Sequence, residues 1–362
     1  MKRLLVTGVG GMGGVNFVRS LRLAQAQCGE EFFIVGTEHN VYHLEFPEVD
    51  VKFRTPRHDD ESFIPSLLKL IGEYDLEFLH PHPSSEAKVV SEYRELFEDA
   101  GAKLYLPRPE DIMPDKFYIY EKLKSAGAPV PETYHVKALE DIDEAFSSMG
   151  SPLWIRAISG AGGRLSLKVN TPEEAKLWVK LNSLQGRARI DEFILQEYLP
   201  GRDLVFDSLW LNGDLVTSYA RERLEYPFRH ISLTGITGTP SVAKTIHDDE
   251  VNKVGISAVK ALNPKPHGFY SVDLREDSSG SPKVTEVDGK WHTTAPLWGY
   301  AMAKAYGKPE YNIAYVYVKL GLSEDLGWNI EKTNLYPEEH YLIRQMDCGV
   351  ILKYRDQVWR IA

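Results

Sequence analysis

Three acidic residues near the end of the chain have the types and spacing to hold a divalent cation. In GFYSVDLREDSSGSPKVTEVDGKWHTT (268–294), Asp273 sits on one expected strand, and Glu286 and Asp288 sit on the next. Residues two apart on a strand share a face. The 13 residues from 273 to 286 (286 − 273) suit a hairpin that brings all three carboxylates together. Carboxylates gathered on one face repel unless a cation lies among them. Hard oxygen ligands suit Mg²⁺, which takes one or two carboxylates and fills its shell with nucleotide phosphates and water. Lys290 falls on the same face, within reach of a phosphate oxygen. A solvated polar face is the plainer alternative.

Two central segments add the means to hold a nucleotide. PLWIRAISGAGGRLSLKV (152–169) reads as strand, glycine loop, strand. Arg156 ends the first strand, Gly160, Gly162 and Gly163 form the loop, and Arg164 follows. Such a loop can close over a triphosphate and exclude water, or it can be an ordinary β-turn. In FILQEYLPGRDLVFD (193–207) the backbone of residues 196–198 can pair with an adenine edge. Glu197 and Asp203 then offer carboxylates to an amino group and to ribose hydroxyls, although an acidic linker would carry the same residues. Arg221 and Arg223 share a strand face and suit a substrate carboxylate or an acyl phosphate; a solvated face accounts for them equally well. His80 and His82 end a strand, where open α/β sheets bind ligands, yet a structural role is the stronger expectation. His292 is the better functional candidate. No Ser–His–Asp ordering stands out.

A different chemistry is suggested at the start. GVGGMG (8–13) fits G-x-G-x-x-G between a strand and a helix, and Glu38 ends the next strand. This is the dinucleotide-binding pattern in its proper setting, and it makes a nicotinamide oxidoreductase an alternative. A tight turn that binds nothing is the simpler reading. No G-x-x-x-x-G-K-[ST] phosphate loop occurs.

The elements that must position these residues follow from periodicity and punctuation. Strands at 2–8, 31–37, 76–82 and 102–107 alternate with helices at 14–27, 61–72 and 85–99, which implies a doubly wound parallel sheet. PRPEDIMP (107–114) opens a new region. Helices are expected at 115–127, 139–148 and 172–184, the last with Thr171 as N-cap and Pro172 in its first turn. A hairpin over 203–223 turns at Asn212-Gly213. A helix covers 248–262, strands cover 268–274 and 282–288, and 296–320 is helical. HYLIRQ and GVILKY in the tail read as strands. The division is therefore 1–107, 108–197, 198–320 and a tail of 321–362.

Bulk properties narrow the class. The 362 residues are 43% hydrophobic and 26% charged, ordinary for a globular chain and too many for one small core. A net charge of −10 opposes nucleic-acid binding. Cys28 and Cys348 lack metal-ligand spacing and are expected as reduced thiols. MKRLLVTGVGG runs into glycines too soon for a signal peptide, and no run approaches the roughly 18 apolar residues of a membrane span. A cytoplasmic protein without membrane or nucleic-acid partners is expected; a homodimer is left open.

Taken in order, DK with GAPVPET (115–133), PLWIR with SGAGG (152–163), LQEYLPGRD (195–203), SVD (271–273) and EVDGK (286–290) resemble the ATP-grasp superfamily over roughly residues 1–305. The likeness is greatest to its carbamoyl phosphate synthase large-subunit-like branch. It implies an α/β ATP-grasp fold: a doubly wound pre-ATP-grasp domain, then two α+β subdomains that clamp ATP. It implies Lys116, Arg156 and the glycines 160, 162 and 163 on the phosphates. It also implies Gln196, Glu197 and Tyr198 around adenine, Asp203 at the ribose, and Mg²⁺ on Asp273, Glu286 and Asp288. Arg156, Lys290 and Arg223 are the expected catalytic groups. The implied reaction activates a small-molecule carboxylate as an acyl phosphate and passes it to an amine, with ATP and Mg²⁺; an ATP-binding protein without ligase activity would keep the fold. The chain departs from the branch's usual E-x-N-x-R, having Asp288 for Asn and Lys290 for Arg, and its ribose carboxylate is the shorter Asp203.

Overall fold

The computed structural model describes residues 1–160, 162–345, 349, 351–354 and 357–360. Its first unit runs β1 (Lys2–Thr7), α1 (Met12–Cys28), β2 (Phe32–Glu38), β3 (Val51–Arg54), α2 (Phe63–Tyr74), β4 (Phe78–Pro81), α3 (Ser84–Glu92), α4 (Arg94–Asp99) and β5 (Lys103–Leu104). The five strands are parallel, in the order β3-β2-β1-β4-β5. Successive residues of β1 serve opposite faces. Leu4 and Val6 pack with Phe17, Val18 and Leu21 of α1, while Leu5 packs with Phe63, Leu67 and Ile71 of α2. An all-parallel sheet needs both faces covered, and both are.

Next come α5 (Lys116–Ser125), β6 (Thr133–Val136), α6 (Asp141–Met149), β7 (Leu153–Ala157), β8 (Leu167–Val169), α7 (Pro172–Leu184) and β9 (Phe193–Glu197). Their antiparallel sheet has the order β6-β9-β7-β8. Thr171 caps α7 by accepting from the Glu174 amide at 3.2 Å. The third unit holds β10 (Asp203–Leu211), β11 (Asp214–Glu225), β12 (Val242–Ile246), α8 (Asp249–Leu262), β13 (Gly268–Glu276) and β14 (Pro282–Asp288). Asn212 and Gly213, both with positive φ, make the expected two-residue turn between β10 and β11. α9 (Ala295–Tyr306) and α10 (Ile313–Gly321) follow, then β15 (Tyr341–Ile343), β16 (Ile351–Tyr354) and β17 (Gln357–Arg360). The large sheet has the order β14-β13-β10-β11-β12-β15.

Several expectations need correction. The helix expected over 296–320 is two helices, broken where Gly307 takes φ +64° and Pro309 follows. Both helices return to the first unit: Asn312 donates to the Ser20 carbonyl at 2.7 Å, and the Ser20 hydroxyl donates to the Pro296 carbonyl at 3.0 Å. The helix expected over 85–99 breaks at Tyr93. β3 and β12 were not expected; each is only four or five residues long, at the short end of what alternation can mark. Cys28 is an exposed free thiol, and Cys348 lies outside the described residues. Among the described residues no helix is long and apolar enough to cross a membrane.

Glu86 of α3 is only 5% exposed, and one of its carboxylate oxygens has no partner among the described residues. Burial, with the Glu38 charge nearby, pushes its carboxyl up to about 7. A folded-state pKa above the unfolded value means folding is favoured with the proton on. Stability is therefore lost as pH rises from about 4.5 through about 7. The Glu86→Gln variant is expected to melt higher than the parent at pH 8, with the gap closing towards pH 4. Melting curves across that range check this.

Candidate active site

A cleft of about 350 Å³ opens between the four-stranded sheet and the six-stranded sheet. Its floor is the β13–β14 hairpin. Asp273 and Glu286 are directly paired in register there, and both line the cleft. The ladder shifts next to them, so that Leu274 pairs with Val284 and Thr285 is left over. The Thr285 carbonyl turns to the Arg156 guanidinium at 3.5 Å.

The cleft's cations converge on these two acids. Glu286 lies 3.4 Å from Arg156, 3.7 Å from Lys116 and 3.4 Å from Lys290. Lys116 also donates to the Gly160 carbonyl at 2.7 Å, which ties α5 to the glycine loop. Burial pulls the Lys116 ammonium down and Glu286 pulls it back up, with a net lowering. Asp273 lies 2.7 Å from Arg223 and 3.3 Å from His292. Burial alone would raise its carboxyl, but Arg223 and His292 outweigh that and hold it well below the usual range. The Arg156 guanidinium contributes from one sheet and Glu286 from the other, so the pair spans the cleft.

Asp288, the third carboxylate expected at the metal, is joined to Glu286 through Lys290 and lies deeper than the other two. Its side chain is 3% exposed, accepts from the Met113 amide at 2.8 Å and pairs with Lys290 at 2.6 Å. The Pro-rich segment after β5 crosses the strand end at this point, and the Gly289 amide donates to the Asp111 carbonyl at 2.8 Å. Among the described residues no three His, Cys, Asp or Glu side chains gather as a cation-holding group.

At the other end, Gln196, Glu197 and Tyr198 line the cleft where β9 leaves its sheet. The Gln196 side chain is turned inward to Thr133 at 3.0 Å. Both Glu197 oxygens accept from Lys283, at 2.9 and 2.6 Å, and Lys168 lies 4.4 Å over the Tyr198 ring. Asp203 accepts from Arg223 at 3.2 Å and from the Tyr226 hydroxyl at 2.8 Å. Gly160, Gly162 and Gly163 form the rim with Arg164; a Cβ on Gly163 would lie 3.3 Å from Ile236, so this loop abuts the one that follows β11.

Arg221, expected beside Arg223 as a substrate contact, is 1% exposed. It donates to Asp207 at 2.7 Å and to the Thr294 hydroxyl at 3.2 Å. Asp207 also accepts from Ser271 at 2.9 Å and meets the His292 Nδ1 at 2.7 Å. Asp207, Lys283 and Tyr226 were not anticipated. A lone acid inside the apolar run LVFDSLWL was the available signal for Asp207, since a buried charge demands a partner. Burial lowers the His292 imidazole, but Asp207 and Asp273 outweigh it and its pKa is raised.

His80 and His82 are structural. His80 is fully buried, stacks on Phe17 at 3.8 Å and meets His82 at 3.0 Å. Burial brings the His82 imidazole down to about 4. The early glycines serve the same packing: a Cβ on Gly13 would fall 2.0 Å from the His82 ring, and one on Gly8 2.1 Å from Pro83. Glu38 accepts from the Gly10 amide at 3.2 Å and the Asn40 amide at 3.1 Å, so it braces its own loop. The oxidoreductase alternative finds no support here.

No protein-family model matches the chain. It is similar to the glutamate–LysW ligase ArgX of Sulfurisphaera tokodaii, 28% identical over 228 residues, which is 61% of this chain and 75% of that protein. It is also similar to the carbamoyl phosphate synthase large chain of Caldanaerobacter subterraneus, 26% identical over 64% of this chain but only 21% of that protein. Among solved structures, the L-amino acid ligase from Bacillus licheniformis superposes with a TM-score of 0.65 at 14% identity, covering 93% of this chain and 78% of that one. The biotin carboxylase domain of Hydrogenobacter thermophilus 2-oxoglutarate carboxylase, in complex with MgADP, gives 0.67 at 16% identity, covering 94% and 73%. The fold is that of the ATP-grasp enzymes, and the resemblance found in the sequence holds.

Removing one member of a fully buried pair strands the other. Asp207→Asn is expected to cost about 3–5 kcal/mol, well above Asp203→Asn at the partly open rim. Denaturant unfolding of the two variants compares them.

Proposed function

We infer that this ATP-grasp chain is an ATP-dependent ligase that activates a carboxylate as an acyl phosphate and joins it to an amine. The observation that carries the reading is the cleft itself: an acid pair, Asp273 and Glu286, set among Lys116, Arg156, Lys290 and Arg223. Two carboxylates suffice for Mg²⁺ when phosphates and water supply the remaining ligands, so the residues present fit that ion. Asp273 and Glu286 would hold Mg²⁺ there, and the ion would supply positive charge to neutralise what develops during transfer. Lys116 and Arg156 lie beside the acids and beside the glycine loop, where they can draw the phosphates into line. Gln196 lies in the sheet ladder and the Glu197 amide donates to the Glu132 carbonyl at 2.8 Å, so adenine is assigned to the main chain just past β9, at Glu197 and Tyr198. Asp203 faces the ribose.

The reaction balances simply. A carboxylate oxygen of the donor attacks the γ-phosphorus, and the bond to the β-phosphate oxygen breaks, releasing ADP. The amine nitrogen then attacks the acyl carbon, phosphate departs, and the nitrogen gives up a proton. Lys290, 3.4 Å from Glu286, and Arg223, 2.7 Å from Asp273, hold the carboxylate and the acyl phosphate. The glycine loop covers the intermediate and keeps water from it. The relatives named above include a glutamate–LysW ligase and an L-amino acid ligase, which supports a carboxylate–amine pair and makes glutamate and other amino acids the first compounds to try.

A coupled assay for ADP over pairs of carboxylates and amines, with Mg²⁺ present, is the direct test. ADP release is expected only when both partners are supplied. Tight NADH binding with no response to Mg·ATP would sink the ligase reading. Glu286→Gln removes charge at the acid pair and is expected to lower turnover at least about a hundredfold while leaving circular dichroism unchanged. Near-normal turnover would mean that phosphate transfer does not rely on Glu286.

A further inference from the structure

In this cleft every charge that would hold a metal is already held by a charge that would hold a phosphate. Glu286 faces three cations, Lys116, Arg156 and Lys290. Asp273 faces Arg223 and His292. Arg223 is the most committed of them: one guanidinium nitrogen reaches Asp203 at 3.2 Å and the other reaches Asp273 at 2.7 Å. It therefore links the carboxylate expected at the ribose to the carboxylate expected at the metal.

We propose that Arg223 is an internal counter-ion that keeps Mg²⁺ off Asp273 until a nucleotide arrives with it, so that the metal and the nucleotide enter by exchange of ion pairs. The proposal rests on the Mg·ATP reading above. A divalent cation alone on Asp273 would push Arg223 off its carboxylate and leave a guanidinium without counter-charge in a largely desolvated place, which is costly. A nucleotide alone would draw the arginines and lysines to its phosphates and leave Glu286 unpaired and Asp273 with His292 alone. Only the two together restore neutrality. By linkage, each then strengthens the binding of the other by the same factor.

The surroundings set where Arg223 can go. Arg221 lies on the same strand face, fixed by Asp207, and its charge repels Arg223. Movement deeper into the sheet is thus opposed, and movement into the cleft is favoured. The Arg223 Nε is buried and has no partner among the described residues, so the guanidinium carries a further donor for an incoming anion. His292 stays behind on Asp273, steadied by Asp207 at 2.7 Å. The released Arg223 is then free to grip the donor carboxylate. Nucleotide with metal is accordingly the first to bind, and the carboxylate the second.

Mn²⁺ serves as the probe, with the free ion counted by electron paramagnetic resonance and every ATP-containing sample read against a protein-free one of the same ATP and Mn²⁺ content. The parent protein is expected to bind Mn²⁺ weakly by itself and tightly once ATP is added. Arg223→Gln, checked for folding by circular dichroism, is expected to bind Mn²⁺ without ATP at least about tenfold more tightly than the parent, in line with removal of a cation in contact with the carboxylate. Adding Asp273→Asn to that variant should abolish the gain. Arg223→Lys keeps the charge but reaches one carboxylate only, so it should show a smaller gain in the same direction. If both Arg223 variants fold and bind Mn²⁺ alone no better than the parent, the counter-ion role is overturned. A failure of the functional reading looks different: the parent itself would then take up no Mn²⁺ even with ATP.

Discussion

Charge balance in a desolvated cleft is the constraint on which the rest of this structure depends. Two acids face each other across the β13–β14 ladder, and in low dielectric they repel strongly unless cations answer them. The fold answers with groups from four separate places: Lys116 from the start of α5, Arg156 from β7, Arg223 from β11 and Lys290 from just beyond β14. No single element can supply them all. The cleft therefore exists only where the chain of two sheets is brought together, and its electrostatics tie the smaller sheet to the larger one through Arg156 and Glu286.

A second layer of polar contacts fixes that arrangement. Asp207, fully buried, gathers Arg221, His292 and Ser271. Through His292 it reaches Asp273, so a charge on β10 orients a charge on β13. At the far end, Lys283 of β14 holds Glu197 at the exit of β9, and Arg202 joins Glu276 and Asp248 nearby. These pairs sit where the chain passes from the smaller sheet to the larger, and Lys283 with Glu197 joins the two walls of the cleft.

The first unit contributes by packing. Its glycine loop matches a nucleotide-binding pattern, yet His82, Pro83 and His43 fill the space that a ligand would need beside those glycines. Glu38 is spent on the loop's own amides. Close approach between β1 and the chain after β4 is what requires Gly8 and Gly13 here. The pattern reports a tight strand-to-helix turn, which many functions share. α9 and α10 then close over α1 and carry the end of the β14 segment back to the first unit.

Local chemistry by itself determined much of this protein. The alternation of strands and helices specified the parallel sheet, Thr171 and Pro172 specified the start of α7, and Asn212-Gly213 specified a hairpin, because each depends on neighbours within a few residues. The order of DK, WIR, SGAGG, LQEY, SVD and EVDGK was enough to indicate the ATP-grasp fold. Tertiary structure alone decided the partners. Residues 286 and 288 share a strand face, but whether both look into the cleft depends on the segment that crosses at Met113. Arg221 and Arg223 also share a face, yet one meets a buried Asp207 and the other the cleft acids Asp203 and Asp273. A side chain's periodicity says which way it leaves the backbone; the charge that waits for it comes from elsewhere in the chain, and only folding brings the two together.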